Sequence, residues 1–274
     1  MGLLKALALA GAAVLGMVNL ARAADLLPPP PPVEPIYAAP DFGGWYLRGD
    51  IGVGINDLGP MRSSFAPSVF VDNPRFESSH LGTTTILGIG AGYQFNSWFR
   101  GDVTGEYRTA AHFSAKQSYG PIFCPAPRCF DDYTASVTSG VFLANGYFDL
   151  GTWYGFTPFV GGGVGFASNH IRGLKDYGLP PAAGFGAAAD KSAINFAWAL
   201  MAGFSYSFTP NLKLELGYRY LNLGTVWSNP IICQAGCTFE MQRFKLASHD
   251  VRLGVRWMFA DYAPPPRMPL VTKY

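Results

Sequence analysis

Apolar and polar side chains alternate along this chain with a period of two. In "LKLELGYRYLNLG", residues 212–224, one set of alternate positions carries leucines and tyrosines, and the other carries Lys213, Glu215 and Arg219. A helix would bring residues three and four apart together and would mix the two sets on one stripe. The period therefore predicts a β-strand with one apolar and one polar face.

The same alternation recurs in eight segments from Trp45 onward, each long enough to cross a membrane as a tilted strand of about 9 to 11 residues. The segments are residues 45–55, 83–95, 98–108, 134–148, 156–166, 194–208, 212–224 and 249–259. The first, third, fifth and seventh links between them span roughly 20 to 25 residues each, whereas the other links are short turns. This pattern predicts an all-β fold, an eight-stranded antiparallel transmembrane β-barrel of the outer-membrane type with long extracellular loops and short periplasmic turns.

The polar face of these segments carries twelve ionisable side chains, and their location distinguishes two kinds of barrel. They are Arg48, Asp50, Arg100, Asp102, Glu106, Arg108, Lys213, Glu215, Arg219, Asp250, Arg252 and Arg256. A soluble lipocalin-like barrel needs an apolar lumen and a wet exterior. Seven cations and five anions instead fit inside a narrow lumen, because one Arg or Lys facing lipid at the membrane midplane would cost about 2 to 4 kcal/mol. We predict a lumenal charge network that fills the barrel, with lipid against the leucines.

Conductance is expected to be negligible, because side chains just fill an eight-stranded barrel whereas diffusion porins need about 16 strands. A narrow pore for small solutes remains the alternative function.

The first 23 residues have the features of a secretory signal peptide. Lys5 precedes the apolar run "ALALAGAAVLGMV", and the small residues "ARA" precede a predicted cleavage after Ala23. We divide the chain into the signal peptide (1–23), a proline-rich periplasmic tether (24–43), the barrel (44–259) and a proline-rich C-terminal periplasmic tail (260–274).

Charge argues against a nucleic-acid partner. Without Lys5 and Arg22, Lys and Arg fall from 20 to 18 and balance the 18 Asp and Glu residues, so the exported chain is formally neutral. Binding to nucleic acid depends on basic patches that neutralise phosphates.

Four cysteines form two close pairs, Cys124 with Cys129 and Cys233 with Cys237. Both pairs fall in predicted extracellular loops, where oxidising conditions favour two small disulfides. Zinc is the competing interpretation, but neither pair has two-residue spacing and no histidine lies beside either pair. We predict no metal and no cofactor, since "GGGVGF" and "LGIGAGY" also lack the Gly-Lys-Ser/Thr of a phosphate-binding loop.

Four histidines are the candidate catalytic residues if the barrel is a lipid-modifying enzyme. His80, His112, His170 and His249 lie in or beside predicted outer loops, on the side where lipopolysaccharide chemistry would occur. His249 lies between Ser248 and Asp250, but adjacent residues on a strand point to opposite faces and cannot converge. We therefore predict that the protein is not an enzyme.

The last segment ends with a pattern that resembles the recognition signal for barrel insertion, formed by Arg252, Gly254, Trp257 and Phe259. This resemblance implies the barrel-assembly machinery as a partner. Aromatic residues near the segment ends are expected to form girdles at the membrane interfaces. They are Trp45, Tyr93, Phe95, Trp98, Tyr206 and Phe208.

The stretches "GWYLRGDIGVG", "NGYFDLG" followed by "FTPFVGGGVGF", "GYRYLNLG" and "VRLGVRWMF" resemble the outer-membrane immunogenic protein family of alphaproteobacteria, also called small porin-family or opacity-type surface proteins. The resemblance covers residues 43–259 and implies an eight-stranded barrel, a surface-antigen location and a structural role in contact with lipopolysaccharide. Family chains commonly end at the terminal phenylalanine, whereas this chain continues past Phe259.

Together these observations predict a structural protein of the Gram-negative outer membrane that supports envelope integrity. Its expected partners are outer-membrane lipids and lipopolysaccharide, whose phosphates the loop Lys and Arg residues would bridge. Peptidoglycan is a further expected partner, contacted through the proline-rich tether and tail.

Overall fold

The computed structural model describes residues 43–64, 74–120, 124–234 and 240–259. The predicted signal peptide, the tether up to residue 42, the tail and Cys237 lie outside these residues. No helix in the described ranges is long and apolar enough to cross a membrane.

Twelve β-strands account for most of the described chain. They are β1 (Gly44–Leu58), β2 (Arg62–Ser63), β3 (Arg75–Leu81), β4 (Thr84–Gln94), β5 (Phe99–Tyr119), β6 (Cys129–Asp149), β7 (Phe156–Gly178), β8 (Gly184–Ala188), β9 (Lys191–Ser207), β10 (Leu212–Trp227), β11 (Ile231–Cys233) and β12 (Gln242–Met258).

Eight of these strands form a closed antiparallel ring in the order β1, β4, β5, β6, β7, β9, β10 and β12. The ring closes where β12 pairs with β1, with Tyr46 opposite Met258 and Leu58 opposite Leu246. Short turns at residues 95–98, 150–155 and 208–211 join strands at the periplasmic end. The predicted eight-stranded outer-membrane barrel is confirmed.

The strands extend farther outward than the sequence pattern predicted. The predicted strand ends at residues 108, 134 and 166 are wrong, because β5, β6 and β7 continue well beyond them. The link between β5 and β6 is therefore only residues 120–128, and the other three outer links contain β2 and β3, β8, or β11. The longest strands form an extracellular extension above the membrane-spanning part of the wall.

β-Bulges explain why the alternation did not reveal this extension. On β5 the register with β6 shifts between Arg108 and Ala111, and on β7 an extra residue lies near Gly173, whose φ is 59°. A bulge adds one residue to one strand, so the inward-facing set changes from even to odd positions or the reverse. A search for unbroken alternation therefore ends at the bulge.

Large apolar side chains cover the outward face of the membrane-spanning part. Leu47, Ile51 and Val53 of β1 face the same lipid layer as Leu253 and Val255 of β12, and all five are about half exposed. Aromatic side chains in mutual ring contact lie at the periplasmic edge of this layer: Trp45, Tyr93, Phe95, Trp98, Phe99 and Phe148. The exterior thus presents hydrocarbon between interfacial aromatics, as lipid requires.

Candidate functional site

The interior of the membrane-spanning part is a network of arginines and carboxylates held by inward-facing alternate positions. On β12 the inward positions are Asp250, Arg252 and Arg256, and on β10 they include Glu215 and Arg219. Each of these side chains is at least nine-tenths buried. Because the intervening residues face lipid, the pleat itself directs every charge into the lumen.

Arg219 is the centre of the outer half of this network. Its Nη1 and Nη2 donate to the two oxygens of Glu106 at 2.6 and 2.7 Å, across the barrel from β10 to β5. Its Nε and Nη2 also donate to Oδ2 of Asp250, at 3.0 and 2.7 Å. Arg108 holds both oxygens of the same aspartate at 3.0 Å, and the Ser248 hydroxyl donates to Asp250 Oδ1 at 2.6 Å.

Glu215 is the centre of the periplasmic half. Three arginines approach it, Arg256 at 2.9 Å, Arg48 at 3.2 Å and Arg100 at 3.4 Å. Arg100 also reaches Asp149 at 3.2 Å. One fully buried carboxylate therefore neutralises charge from three different strands.

Arg48, Asp50 and Arg252 connect the two halves. Arg48 lies 2.8 Å from Asp50 and 3.0 Å from Asp102. Arg252 bridges Asp50 at 3.2 Å and Glu106 at 2.9 Å. The ion pairs thus form one continuous network along the membrane-spanning lumen.

Eleven of the twelve predicted lumenal charges take part in these ion pairs, and Lys213 does not. Lys213 lies opposite Arg256, in phase with Glu215, and is half-buried near the periplasmic end of β10. Asp149, at the periplasmic end of β6, was not predicted from the sequence, and it joins the network through Arg100. With that exchange the network contains six arginines and six carboxylates and is electrically balanced.

Neutral side chains complete the hydrogen bonding of the network. The Tyr46 hydroxyl donates to Asp102 at 3.1 Å, and the Asn145 amide donates to the other oxygen of Asp102 at 2.7 Å. The Arg100 guanidinium lies 4.1 Å from the centre of the Tyr147 ring and 4.9 Å from that of Phe159. Tyr46 lies in phase with Arg48 on β1, so sequence alternation could have identified it.

Above the ion pairs the lumen changes character and becomes an apolar core. Phe113 and Phe244 stack with their centroids 5.3 Å apart. Leu81, Leu223 and Leu246 pack with them, and all are at least 95% buried. A cavity of about 10 Å³ lies where the charged and apolar layers meet, room for about one water molecule. The inward face of the extension is therefore apolar, whereas that of the membrane-spanning part is charged.

Three carboxylates face one another at the outermost level of the lumen, those of Asp131, Asp176 and Glu240. The Tyr133 hydroxyl lies 3.1 Å from a carboxylate oxygen of Glu240 and 2.7 Å from the side-chain oxygen of Gln117, and the Ser63 hydroxyl donates to Glu240. Burial, with repulsion from neighbouring carboxylates, raises the pKa of Asp131 to about 7 and that of Asp176 to about 8. None of the three acids has an ion-pair partner among the described residues.

The cysteines lie in the extracellular part. A disulfide joins Cys124 to Cys129, the first residue of β6, with their Cα atoms 5.6 Å apart. Cys233, at the end of β11, is also disulfide-bonded; its predicted partner Cys237 lies outside the described ranges. The described His, Cys, Asp and Glu residues form no group suited to hold a metal ion.

The histidines lie on the outside of the wall rather than in a pocket. His249 Nδ1 and the Tyr218 hydroxyl share a 2.6 Å hydrogen bond on the exterior. Ser248 and Asp250 are hydrogen-bonded to each other inside the barrel. The three residues do not form a catalytic group. His170 likewise bonds to Ser192 on the exposed face.

The residues of the predicted insertion signal lie at the periplasmic end of β12. Trp257 and Phe259 face outward and are about half exposed. Gly254 is opposite Asp50, and an added Cβ would lie 2.5 Å from Oδ1 of that aspartate. This glycine therefore also leaves room for a member of the charge network.

Comparison with known proteins agrees with this architecture. Residues 10–259 match the family described as outer membrane protein beta-barrel domain. An uncharacterized protein of Brucella abortus is 34% identical over 224 residues, which are 75% of this chain and 77% of that protein. The outer membrane protein PagN of Salmonella typhimurium is 25% identical over 79% of this chain and 90% of its own length.

Among solved structures, the outer membrane protein OprG from Pseudomonas aeruginosa aligns with a TM-score of 0.49 at 13% identity, covering 81% of this chain and 98% of that one. The family match covers the whole described barrel, and it identifies the chain as a protein of the Gram-negative outer membrane. The chain belongs to the outer membrane protein beta-barrel domain family.

Proposed function

We propose that this protein is a structural outer-membrane barrel with a closed lumen, which supports the integrity of the envelope and presents its extracellular part as a surface antigen. The observation that carries the proposal is the balanced network of six arginines and six carboxylates, sealed above by an apolar core. A channel needs a continuous wet path. Here the guanidinium groups reach across the lumen to carboxylates of other strands.

Energetics favour a closed lumen over a narrow pore. An ion that entered would have to displace buried partners, and removing one partner of a buried ion pair typically costs about 3 to 5 kcal/mol. It would then meet the apolar layer around Phe113 and Phe244, where buried hydrocarbon and aromatic side chains poorly replace its hydration shell. Two successive barriers of opposite chemistry oppose steady transport.

Deletion of the gene in its host should have different effects if the protein is structural and if it is a pore. The structural function predicts that deletion makes the outer membrane more permeable to a hydrophobic dye and more sensitive to detergent, and that the wild-type gene restores both. A pore predicts the opposite sign, slower uptake of small hydrophilic solutes with an intact barrier. That second result would contradict the proposal and favour the narrow pore.

The proline-rich tether and tail are proposed to contact peptidoglycan and to space the barrel from it. The support is their composition, since proline-rich segments favour extended polyproline conformations. Purified cell-wall sacculi should retain the full chain and lose a version without residues 24–43 and 260–274. Equal retention of both versions would refute this part of the proposal.

Insertion through the barrel-assembly machinery is proposed to depend on the aromatic end of β12. Phe259→Ala should slow assembly into membranes that contain the machinery, while spontaneous refolding into detergent stays unchanged. An equal effect on both processes would indicate a purely structural role for Phe259.

A further inference from the structure

The lumenal charges are distributed unevenly along the membrane-spanning part. Toward the outer surface, four arginines pair with four carboxylates: Arg48, Arg108, Arg219 and Arg252 with Asp50, Asp102, Glu106 and Asp250. The periplasmic end holds three cations and two carboxylates, which we call the periplasmic layer: Arg100, Lys213 and Arg256 with Asp149 and Glu215. One positive charge is therefore in excess, and it lies at the periplasmic end.

The described residues supply no further carboxylate at this end. The turns at residues 95–98, 150–155 and 208–211 close the periplasmic end and contain no charged side chain. Lys213 forms no ion pair with any described residue. It lies directly opposite Arg256 in the register of β10 and β12, and like charges at such positions are destabilising. A negative charge beside Lys213 would relieve this repulsion.

The two arginines of the periplasmic layer retain N–H donors even after the neutral side chains are counted. Arg100 donates through Nε to Asp149 at 3.2 Å, and Arg256 donates through Nη1 to Gln94 at 2.8 Å. Nη2 of Arg100 and Nη2 of Arg256 are buried and meet no hydrogen-bond acceptor among the residues that the structure describes. In the outer half, by contrast, all three side-chain nitrogens of Arg219 donate to carboxylates. A buried donor without an acceptor is costly, so these N–H groups indicate a ligand that accepts hydrogen bonds.

The surroundings of these two guanidinium groups limit the size of such a ligand. The Arg100 guanidinium lies 4.1 Å from the centre of the Tyr147 ring, and that of Arg256 lies 5.3 Å from the centre of the Tyr46 ring. A ring contacts a guanidinium through its face, so the N–H edges stay available to a ligand in the plane. Both arginines also reach the same oxygen of Glu215, at 3.4 and 2.9 Å, which brings their guanidinium groups close together. The ligand must therefore be compact.

We propose that the periplasmic layer binds one small monovalent anion of the chloride class. The N–H groups of Arg100 and Arg256 donate to it, and the Lys213 ammonium group supplies the charge that it balances. A divalent oxyanion would leave a negative charge in excess in a buried site, which is unfavourable. Because Lys213 is half-buried near the periplasmic end, the anion exchanges with the periplasm without crossing the apolar core. The site therefore does not depend on whether the lumen conducts.

The first test follows thermal unfolding of the refolded chain, residues 24–274, in a non-ionic detergent at neutral pH. Sodium chloride replaces sodium gluconate at constant ionic strength, and circular dichroism gives the melting temperature. We expect about 200 mM chloride to raise the wild-type melting temperature by at least about 3 °C, because a ligand that binds only the folded state stabilises it. Lys213→Gln should lose most of this shift. Lys213→Arg keeps the charge and should keep the shift, as should Lys116→Gln, which removes an exposed cation of the extension.

The contrary outcomes of this test are distinct. An equal shift in the wild type and Lys213→Gln would be a general effect of chloride and would overturn the proposal, as would the absence of a shift in the wild type. A larger shift with sulfate than with chloride would assign the layer to a divalent oxyanion and contradict a monovalent ligand.

Two further experiments identify the source and the position of the negative charge. Asp41 and Asp261 flank the described barrel in sequence, and Asp41→Asn/Asp261→Asn should leave the chloride shift unchanged. A shift that appears only in this double variant would assign the layer to a carboxylate of the chain itself and overturn the proposal. In crystals soaked with bromide, anomalous scattering should give a peak in contact with Nη2 of Arg100 and of Arg256 that is absent from Lys213→Gln. No peak at this position in the wild type would also overturn it.

Discussion

The membrane-spanning part of the barrel and its extracellular extension distribute apolar and polar side chains in opposite ways between their inward and outward faces. In the first, Leu253 faces outward and Arg252 inward; in the second, Lys245 faces outward and Phe244 inward. Both patterns occur on the single strand β12. The comparison shows that the surrounding solvent, lipid in one case and water in the other, determines which face of the same wall is apolar.

The inversion falls close to the bulges. On β5 the inward residues are at even positions up to Arg108, the last charge of the network, and at odd positions from Ala111 into the apolar core. On β10 the register shifts between Asn222 and Gly224, just above Arg219. A bulge allows a strand to change the phase of its pattern where the environment changes.

The largest expected effect is the loss of Arg219. Arg219→Met leaves Glu106 and Asp250 buried and close together without their shared cation, so we expect a loss of about 3 to 5 kcal/mol in the free energy of unfolding. Urea unfolding in lipid bilayers measures this change. The charge-balanced double substitution Arg219→Met/Glu106→Gln keeps Asp250 paired with Arg108 and Arg252 paired with Asp50, and it should recover at least half of the loss. A loss below about 1 kcal/mol for Arg219→Met would show that the network contributes little to stability.

In the extension the corresponding test removes an apolar interior residue. Phe113→Ala deletes the ring that stacks on Phe244 and should cost about 3 kcal/mol in unfolding free energy. Phe130→Ala on the outward face of the extension is the control and should change stability by about 0.5 kcal/mol or less. Equal costs for the two variants would contradict an apolar core in the extension.

An outward arginine tests the exterior of both regions. Leu253→Arg introduces a charge near the membrane midplane and should destabilise the barrel by about 2 to 4 kcal/mol. Ile232→Arg, at a residue of β11 that is 64% exposed, should have an effect near zero. If Ile232→Arg is as costly as Leu253→Arg, the extension lies in lipid and not in water.

The smallest predicted effect is a pH dependence of the outermost lumen. The pKa of Asp176 is raised to about 8 and that of Asp131 to about 7 from an ordinary value of 3.8. A carboxyl group with a raised pKa holds its proton more tightly in the folded state than in the unfolded state. Its contribution to stability is therefore fully present below about pH 4 and is lost as pH rises toward 8.

Asp176→Asn removes part of this loss. The variant should melt about 2 to 4 °C higher than the wild type at pH 8.5, which corresponds to about 1 kcal/mol, and the difference should vanish near pH 4. Thermal unfolding followed by circular dichroism at both pH values measures it. An identical difference at both values would assign the effect to packing rather than ionisation.

The sequence was sufficient to predict the membrane-spanning wall and most of its lumen. There the alternation of Arg252, Asp250 and their lipid-facing neighbours is uninterrupted, because one face must be hydrocarbon and the other must be polar. The pattern could not reveal the extension. Its strands contain a bulge that interrupts the alternation. Its apolar residues face inward, whereas the apolar residues of the membrane-spanning part face outward, so an apolar position does not reveal which face it is on.

Asp149 and Lys213 illustrate the limits at a strand end. Both lie near the periplasmic mouth, where the depth of a side chain depends on the turn and on tilt as well as on phase. Alternation predicts Lys213 in the lumen, and it lies opposite the inward Arg256, but it is half-buried and forms no ion pair, whereas Asp149 pairs with Arg100. Pairing partners around a barrel depend on strand stagger, which a single sequence does not specify.

The closed lumen is tested most directly by single-channel recording of the refolded chain, residues 24–274, in a planar bilayer. The ion-paired network and the apolar core above it predict no steady conductance in 1 M KCl over ±100 mV. Steady, ion-selective current steps would contradict a closed lumen and would identify the arginines and carboxylates as the lining of an open path.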